Sequence, residues 1–194
     1  MNFNEGLNKF GPNLNLHAKL INTFSLMEYI GGRKILKSQL ESKVTEALLS
    51  HVAEEVRHAM TLKRLALKLS DGGLHSYGDE HVLGGQAARH YMQKVDRGAA
   101  DYFKSDDAWK NYLLTTWLIE ERALLVYPLY EEVMESLGHK GYFKMILKDE
   151  ERHSQFIEDE IKIFAINSED QKALLALENA AFAEFCEAVF KVAE

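Results

Sequence analysis

The chain has 194 residues, 46% of them hydrophobic, and a formal net charge of -7. That length suits one domain with a sizeable core spanning residues 1–194. The acidic balance disfavours a general binder of nucleic acid or anionic membrane, because phosphate recognition shows a basic excess. A lone cysteine, Cys186, excludes an internal disulfide framework and any Cys-rich zinc or iron–sulfur site, and fits a reducing cytoplasm. The opening "MNFNEGLNKFGPN" lacks the charged start and apolar core of a targeting peptide. No run approaches the ~18 apolar residues of a membrane helix, so a soluble, unprocessed protein is expected.

Proline occurs only at Pro12 and Pro128, while Leu, Ala, Glu and Lys dominate, so the chain reads as all-α. A first long helix is predicted from Leu14 to Lys37 and a second from Ser42 to Ser70, where "SDGG" stops it. A long connection, Asp71 to Asp106, holds loops and a shorter helix from Gln86 to Phe103. A third long helix is predicted from Asp107 to Leu137, ended by Gly138, and a fourth from Tyr142 to Ile166. "NSED" then caps a last helix from Gln171 to Val192. Short turns make each long pair antiparallel, and the long link lets the third helix start back at the other end. This is the up-down, crossover, up-down plan of a ferritin-like four-helix bundle over residues 14–166, with an extra carboxy-terminal helix over 171–192.

Two of the long helices carry the same charged pentad. "AEEVRHAM" at 53–60 and "DEERHSQF" at 149–156 each give an acid, a Glu, any residue, an Arg and a His. Residues three apart on a helix share a face, but Glu-x-x-His alone is a weak signal, because a chain rich in Glu with eight His yields a copy by chance. The faces are more telling. Glu55 and His58 share theirs with Leu48, Val52, Leu62, Leu65 and Leu69, and Glu150 and His153 with Phe143, Ile146, Leu147, Ile157 and Phe164. Both pentads therefore point into the core, where unpaired carboxylates cost several kcal/mol each. Two divalent cations would neutralise them if each remaining long helix supplied one carboxylate.

The first helix offers Glu28 in "FSLMEYIGG", with Ile21, Phe24 and Ile35 on its face. The third offers adjacent Glu120 and Glu121. The face through Glu121 holds Leu114, Trp117, Leu124 and Leu125, which favours Glu121 and leaves Glu120 as the alternative. Ligands that meet at one height on antiparallel helices should have a turn midway between them. For Glu28 against Glu55 and His58 the midpoint falls in "SQLES", and for Glu121 against Glu150 and His153 in "SLGHKG". The candidate metal ligands are thus Glu28, Glu55, His58, Glu121, Glu150 and His153. Glu54 is expected to support His153 across the bundle, and Asp149 to support His58. Arg57 and Arg152 either balance these outer acids or form ordinary surface ion pairs.

Four carboxylates and two imidazoles without sulfur favour iron, with manganese or a mixed pair as the alternative and zinc less easily excluded. His51, one turn before Glu55, reads either as an outer proton carrier or as a satisfied core histidine. Gly31 and Gly32 sit just beyond Glu28 at a helix cost of ~1 kcal/mol each, and would either open space beside the metals or allow close helix packing. Tyr29, Trp117, Tyr127 and Tyr130 read as core aromatics that could also pass electrons. The last helix has an apolar stripe through Leu177, Ala181, Phe185 and Phe190 that would cover the bundle or form a homodimer interface.

On these residues the sequence resembles the ferritin-like di-iron carboxylate superfamily over roughly Leu14 to Ile166. Its "EEVRH", "DEERH" and "EERA" look most like the iron-binding stretches of soluble acyl-carrier-protein desaturases, a likeness that supports Glu121. The resemblance implies a centre of two iron ions that activates dioxygen or peroxide to oxidise an organic substrate, small or carrier-bound. Desaturation is not carried over, because the carrier-recognising regions of those longer enzymes have no counterpart here. Rubrerythrin-like peroxidases are similar in size, but a rubredoxin module needs paired Cys-x-x-Cys, so electrons are expected from an external donor. The alternatives are a ferroxidase that handles iron without an organic substrate, and a helical scaffold with structural zinc.

Overall fold

In the computed structural model, which describes residues 2–38 and 44–191, the described residues form seven α-helices and contain no strand. These are α1 (Phe3–Phe10), α2 (Leu14–Ser38), α3 (Glu46–Leu69), α4 (Gly85–Phe103), α5 (Ala108–Ser136), α6 (Tyr142–Ile161) and α7 (Ser168–Lys191). No described helix is long and apolar enough to cross a membrane.

Side-chain oxygens set most of the helix starts, by accepting from amides that have no partner within the helix. Thr45 Oγ1 accepts from Leu48 N–H at 3.3 Å, so α3 begins at Glu46 rather than at the predicted Ser42; Ser42 and most of the "SQLES" turn lie outside the described residues. Asp107 accepts from Trp109 and Lys110 N–H and fixes α5. Asn167 accepts from Glu169 and Asp170 N–H, which starts α7 at Ser168, three residues before the predicted Gln171; the predicted end at Val192 is outside the described residues. The start of α6 has no cap of its own. Instead the buried Glu131 carboxylate of α5 accepts from Gly141 N–H at 2.5 Å and Phe143 N–H at 3.1 Å, placing negative charge on the positive end of the α6 dipole.

Two further features differ from the sequence reading. The α6 helix ends at Ile161, not Ile166: a 3-10 turn follows over Lys162–Phe164, and Ala165 adopts a left-handed φ of 48° while donating its N–H to Lys162 O. Second, α1 was not anticipated. Asn2 and Glu5 form a reciprocal capping box, and Phe3, Leu7 and Phe10 bury one face before Gly11 ends the helix.

The direction of the four long helices follows from their cross-contacts. Along α2 and α3 the pairs Asn22–Lys63, Ser25–Ala59 and Glu28–His58 run in opposite order, so these helices are antiparallel. Glu120–His153 and Tyr130–Phe143 give the same result for α5 and α6, and Phe24–Tyr130 with Glu28–Tyr127 for α2 and α5. Helices α3 and α5 therefore run the same way, and the segment between them must return the chain along the full length of the molecule. That crossover is pinned to α2 and α3. Lys63 Nζ donates to Asn22 and to Ser76 O at 3.0 Å, and Thr23 Oγ1 exchanges hydrogen bonds with Leu83.

A contiguous cluster of buried apolar side chains extends from Phe3 of α1 to Phe190 of α7. The apolar stripe of α7 packs inside the chain: Ala181, Phe185 and Phe190 are buried, with Phe185 against Tyr91 of α4 and Phe190 against Phe3. Arg122 of α5 holds α7 with a two-pronged ion pair to buried Glu178, at 2.9 and 2.5 Å, and Tyr91 Oη donates to the same carboxylate at 2.7 Å.

Candidate metal centre

Where α2, α3, α5 and α6 face one another, seven buried ionisable side chains meet in two groups of four that share Glu55. One group is Glu28, Glu55, His58 and Glu150; the other is His51, Glu55, Glu120 and His153. Within each, one ligating atom per residue lies within 4.8 Å of the others. Glu150 also faces both groups, with Oε1 at 3.1 Å from His58 Nδ1 and Oε2 at 3.3 Å from His153 Nδ1.

Of the six residues read from the sequence as ligands, the structure brings Glu28, Glu55, His58, Glu150 and His153 into this cluster and leaves Glu121 out. Glu121 is half-buried and accepts from Ser154 Oγ at 3.0 Å, while Glu120, only 4% exposed, points at His51 (3.2 Å) and His153 (3.6 Å). The reason lies in the α5 face. Leu113, Trp117, Glu120, Tyr127, Tyr130 and Met134 are buried along one side, whereas one turn beyond Glu121 Leu125 is 62% exposed. The face through Glu121 turns away from the centre below Leu118.

Each imidazole is held from behind. His153 Nε2 lies 2.7 Å from Glu54 Oε2, and His58 Nε2 lies 3.2 Å from Asp149 Oδ2, in both cases across the α3–α6 contact. Arg152 pairs with Glu54 at 2.7 Å and Arg57 with Asp149 at 2.8 Å, so the two guanidiniums balance the outer acids while remaining partly exposed. His51 Nδ1 lies 3.1 Å from Tyr112 Oη. Tyr127 donates a short hydrogen bond to Glu28. Tyr112 carried no signal in the sequence, and Tyr127 was one aromatic among several.

Like charges crowded away from water dominate the electrostatics. Burial, then repulsion from Glu28, raises the Glu55 carboxyl. Burial, then Glu120, does the same to Glu150. Burial alone would lower the three imidazoles, but the surrounding carboxylates outweigh it. Glu120 and Glu55 raise His51 to about 9, Glu150 and Glu28 raise His58 to about 12, and Glu120 and Glu150 raise His153 to about 11. The crowded carboxylates and imidazoles thus compete for the same protons. Even so, His51 Nε2 and His58 Nδ1 are buried without an aligned hydrogen-bond partner, although carboxylate oxygens lie 3.1–3.4 Å away. Imidazole nitrogens aimed into a cage of carboxylates without hydrogen bonds fit a metal ion better than they fit one another.

Gly31 and Gly32 divide between the two roles considered for them. A Cβ on Gly31 would come within 2.7 Å of Glu55 Oε2, so this glycine makes room for the shared carboxylate; one on Gly32 would meet Glu55 Cβ at 3.2 Å and Val56 Cγ2 at 3.5 Å, which is close helix packing. Two cavities reach the cluster on the side of Gly31. The smaller, about 50 Å³, touches Glu28, Glu55, Glu120 and Tyr127; the larger, about 150 Å³, is walled by Ile35, Met92, Tyr112 and Ile119 and ends on His51, Glu55 and Glu120.

Compared with known proteins, the chain matches no family model, no curated protein and no solved structure. What stands, among the described residues, is an all-helical fold with two buried His/Glu groups that could hold metal ions.

Proposed function

We propose that α2, α3, α5 and α6 form a ferritin-like four-helix bundle that holds two iron ions, or manganese or a mixed pair, and that the protein is an oxidoreductase using dioxygen or peroxide to oxidise a small organic substrate. The observation that carries this reading is the buried cluster itself. One carboxylate from each of α2 and α5 meets a Glu-x-x-His from each of α3 and α6, the donor set that helix bundles use for paired metals. Oxygen and imidazole donors without sulfur suit iron or manganese. Bound there, such a pair would supply the electrons that dioxygen or peroxide requires.

The chain's own residues supply the rest. Glu54 and Asp149 hold the outer nitrogens of His153 and His58, which fixes ring orientation and keeps the inner nitrogens directed at the ions. Tyr127 holds Glu28, and Gly31 leaves Glu55 free to lie between both groups. Ile35, Met92 and Ile119 line the larger cavity beside polar Asn111, Thr115 and Thr116, so a substrate there is largely apolar with room for a polar group. Lys34 and Asp96 pair at 2.7 Å beside that cavity and offer it no free charge. Electrons would come from a separate donor, since a single cysteine, Cys186, cannot form the paired Cys-x-x-Cys of a rubredoxin module.

Anaerobic titration with Fe(II), followed by exposure to oxygen, tests the reading. Two iron ions per chain and oxygen consumption that increases with an apolar co-substrate are expected. Fewer than one ion per chain contradicts it. Iron-driven oxygen consumption that no organic compound alters, from a large multi-subunit shell, would instead identify a ferroxidase; the substrate-sized cavity beside Glu55 favours the first outcome.

A further inference from the structure

His51 stands outside the one-His-per-metal pattern. It lies one helical turn before Glu55, is 4% exposed, and sends Nε2 into the cluster at 3.2 Å from Glu120 and 3.4 Å from Glu55. That nitrogen has no aligned hydrogen-bond partner. Its ring lies 4.0 Å from the His153 ring, centroid to centroid, whereas the His58 and His153 rings are 6.1 Å apart. Two imidazoles thus converge on one side of the cluster and a single one on the other.

The geometry points to His51 as a seventh metal ligand, so that the two metal positions are chemically unequal: one with His51 and His153, the other with His58 alone. This rests on the metal reading above and goes beyond it. At the first position Nε2 of His51 and Nδ1 of His153 join Glu120 and Glu55; at the second Nδ1 of His58 joins Glu28, Glu150 and Glu55. The supports behind the rings differ in the same sense. His153 and His58 are backed by carboxylates, which strengthen an imidazole as a donor, while His51 is backed by the neutral hydroxyl of Tyr112. If Nδ1–H of His51 is donated to Tyr112 Oη, the Nε2 lone pair is left for the ion. A nitrogen-richer position prefers metals later in the first-row divalent series, and an oxygen-richer one tolerates manganese. The pair is therefore built to fill in a fixed order and to accept two different metals.

The test is Co(II) titration of the full chain, followed by visible spectroscopy and calorimetry, in wild type, His51→Ala, His51→Gln and Tyr112→Phe. Wild type should bind two ions with separable affinities. Both His51 variants should weaken one binding step by at least about ten-fold, with a changed ligand-field spectrum, and leave the other step as it was. Tyr112→Phe, which removes only the support, should weaken the same step by less. Two unchanged affinities and an unchanged spectrum in both His51 variants, with far-UV circular dichroism showing them folded, would overturn the inference and leave the six-ligand reading intact. Wild type that binds no Co(II) overturns both together.

Discussion

Gly31→Ala separates folding from metal binding with a single methyl group. An added Cβ at this position lies 2.7 Å from Glu55 Oε2, and ordinary contact begins near 3.4 Å, so the carboxylate must retreat by about 0.7 Å. The displaced atom is the end of a flexible side chain, which keeps the cost to the fold small. Alanine meanwhile gains up to ~1 kcal/mol of helix propensity in the interior of α2. In metal-free protein the melting temperature should therefore stay level or rise by about 2–4 °C. Metal binding should weaken by about 10- to 100-fold, the range found when a ligand's placement is disturbed, and at both positions, because Glu55 belongs to both groups. Thermal melts of metal-free and metal-loaded protein give both quantities, since the stabilisation by ligand falls with affinity. Gly32→Ala is the control. Its Cβ presses on Glu55 Cβ and Val56 near the α3 backbone, so it should lower stability in both states. Unchanged metal affinity in Gly31→Ala would refute the role given to Glu55.

Three further outcomes follow. Glu120→Ala should remove at least one of two bound metals, whereas Glu121→Ala, which loses only the contact with Ser154, should leave metal content unchanged by elemental analysis. Metal uptake should release protons. With His51, His58 and His153 raised to about 9, 12 and 11 in the metal-free state, all three are charged at neutral pH and must be neutral to bind metal, so about three protons leave and affinity falls as pH is lowered through this range. Calorimetry in buffers of different ionisation enthalpy counts them, and a count of zero would contradict the cluster as the binding site. Glu178→Ala should cost about 3–5 kcal/mol in urea unfolding, because it leaves Arg122 and Tyr91 without their shared partner; a loss below about 1 kcal/mol would show that this ion pair does not hold α7 in place.

The sequence made the long helices legible because their caps and apolar faces are local signals. Asp107, the "SDGG" stop and the Glu-x-x-His faces are each readable within a few residues. The signals for α1 were also local, an Asn-x-x-Glu box with Phe3, Leu7 and Phe10 on one face, but its 8 residues are too short to stand out by periodicity. The early end of α6 had no such signal, since Ala165 in a left-handed conformation is dictated by what surrounds it. The choice between Glu120 and Glu121 turned on where a face leaves the core. Both have apolar neighbours, and only the exposure of Leu125 separates them. His51 was visible as sharing a face with Glu55, but what its ring meets depends on α5 and α6, far away in the chain. Long-range side-chain meetings of that kind are settled by tertiary packing and leave no mark within one helix.

Anomalous scattering from a metal-loaded crystal, collected on both sides of the iron and manganese edges, tests the central claim most directly. Two peaks are expected among Glu28, Glu55, His58, Glu120, Glu150 and His153, with Glu55 touching both and His51 touching the one nearer His153. A cluster that shows no peak at either edge, its imidazoles paired to the carboxylates through protons alone, would contradict the account.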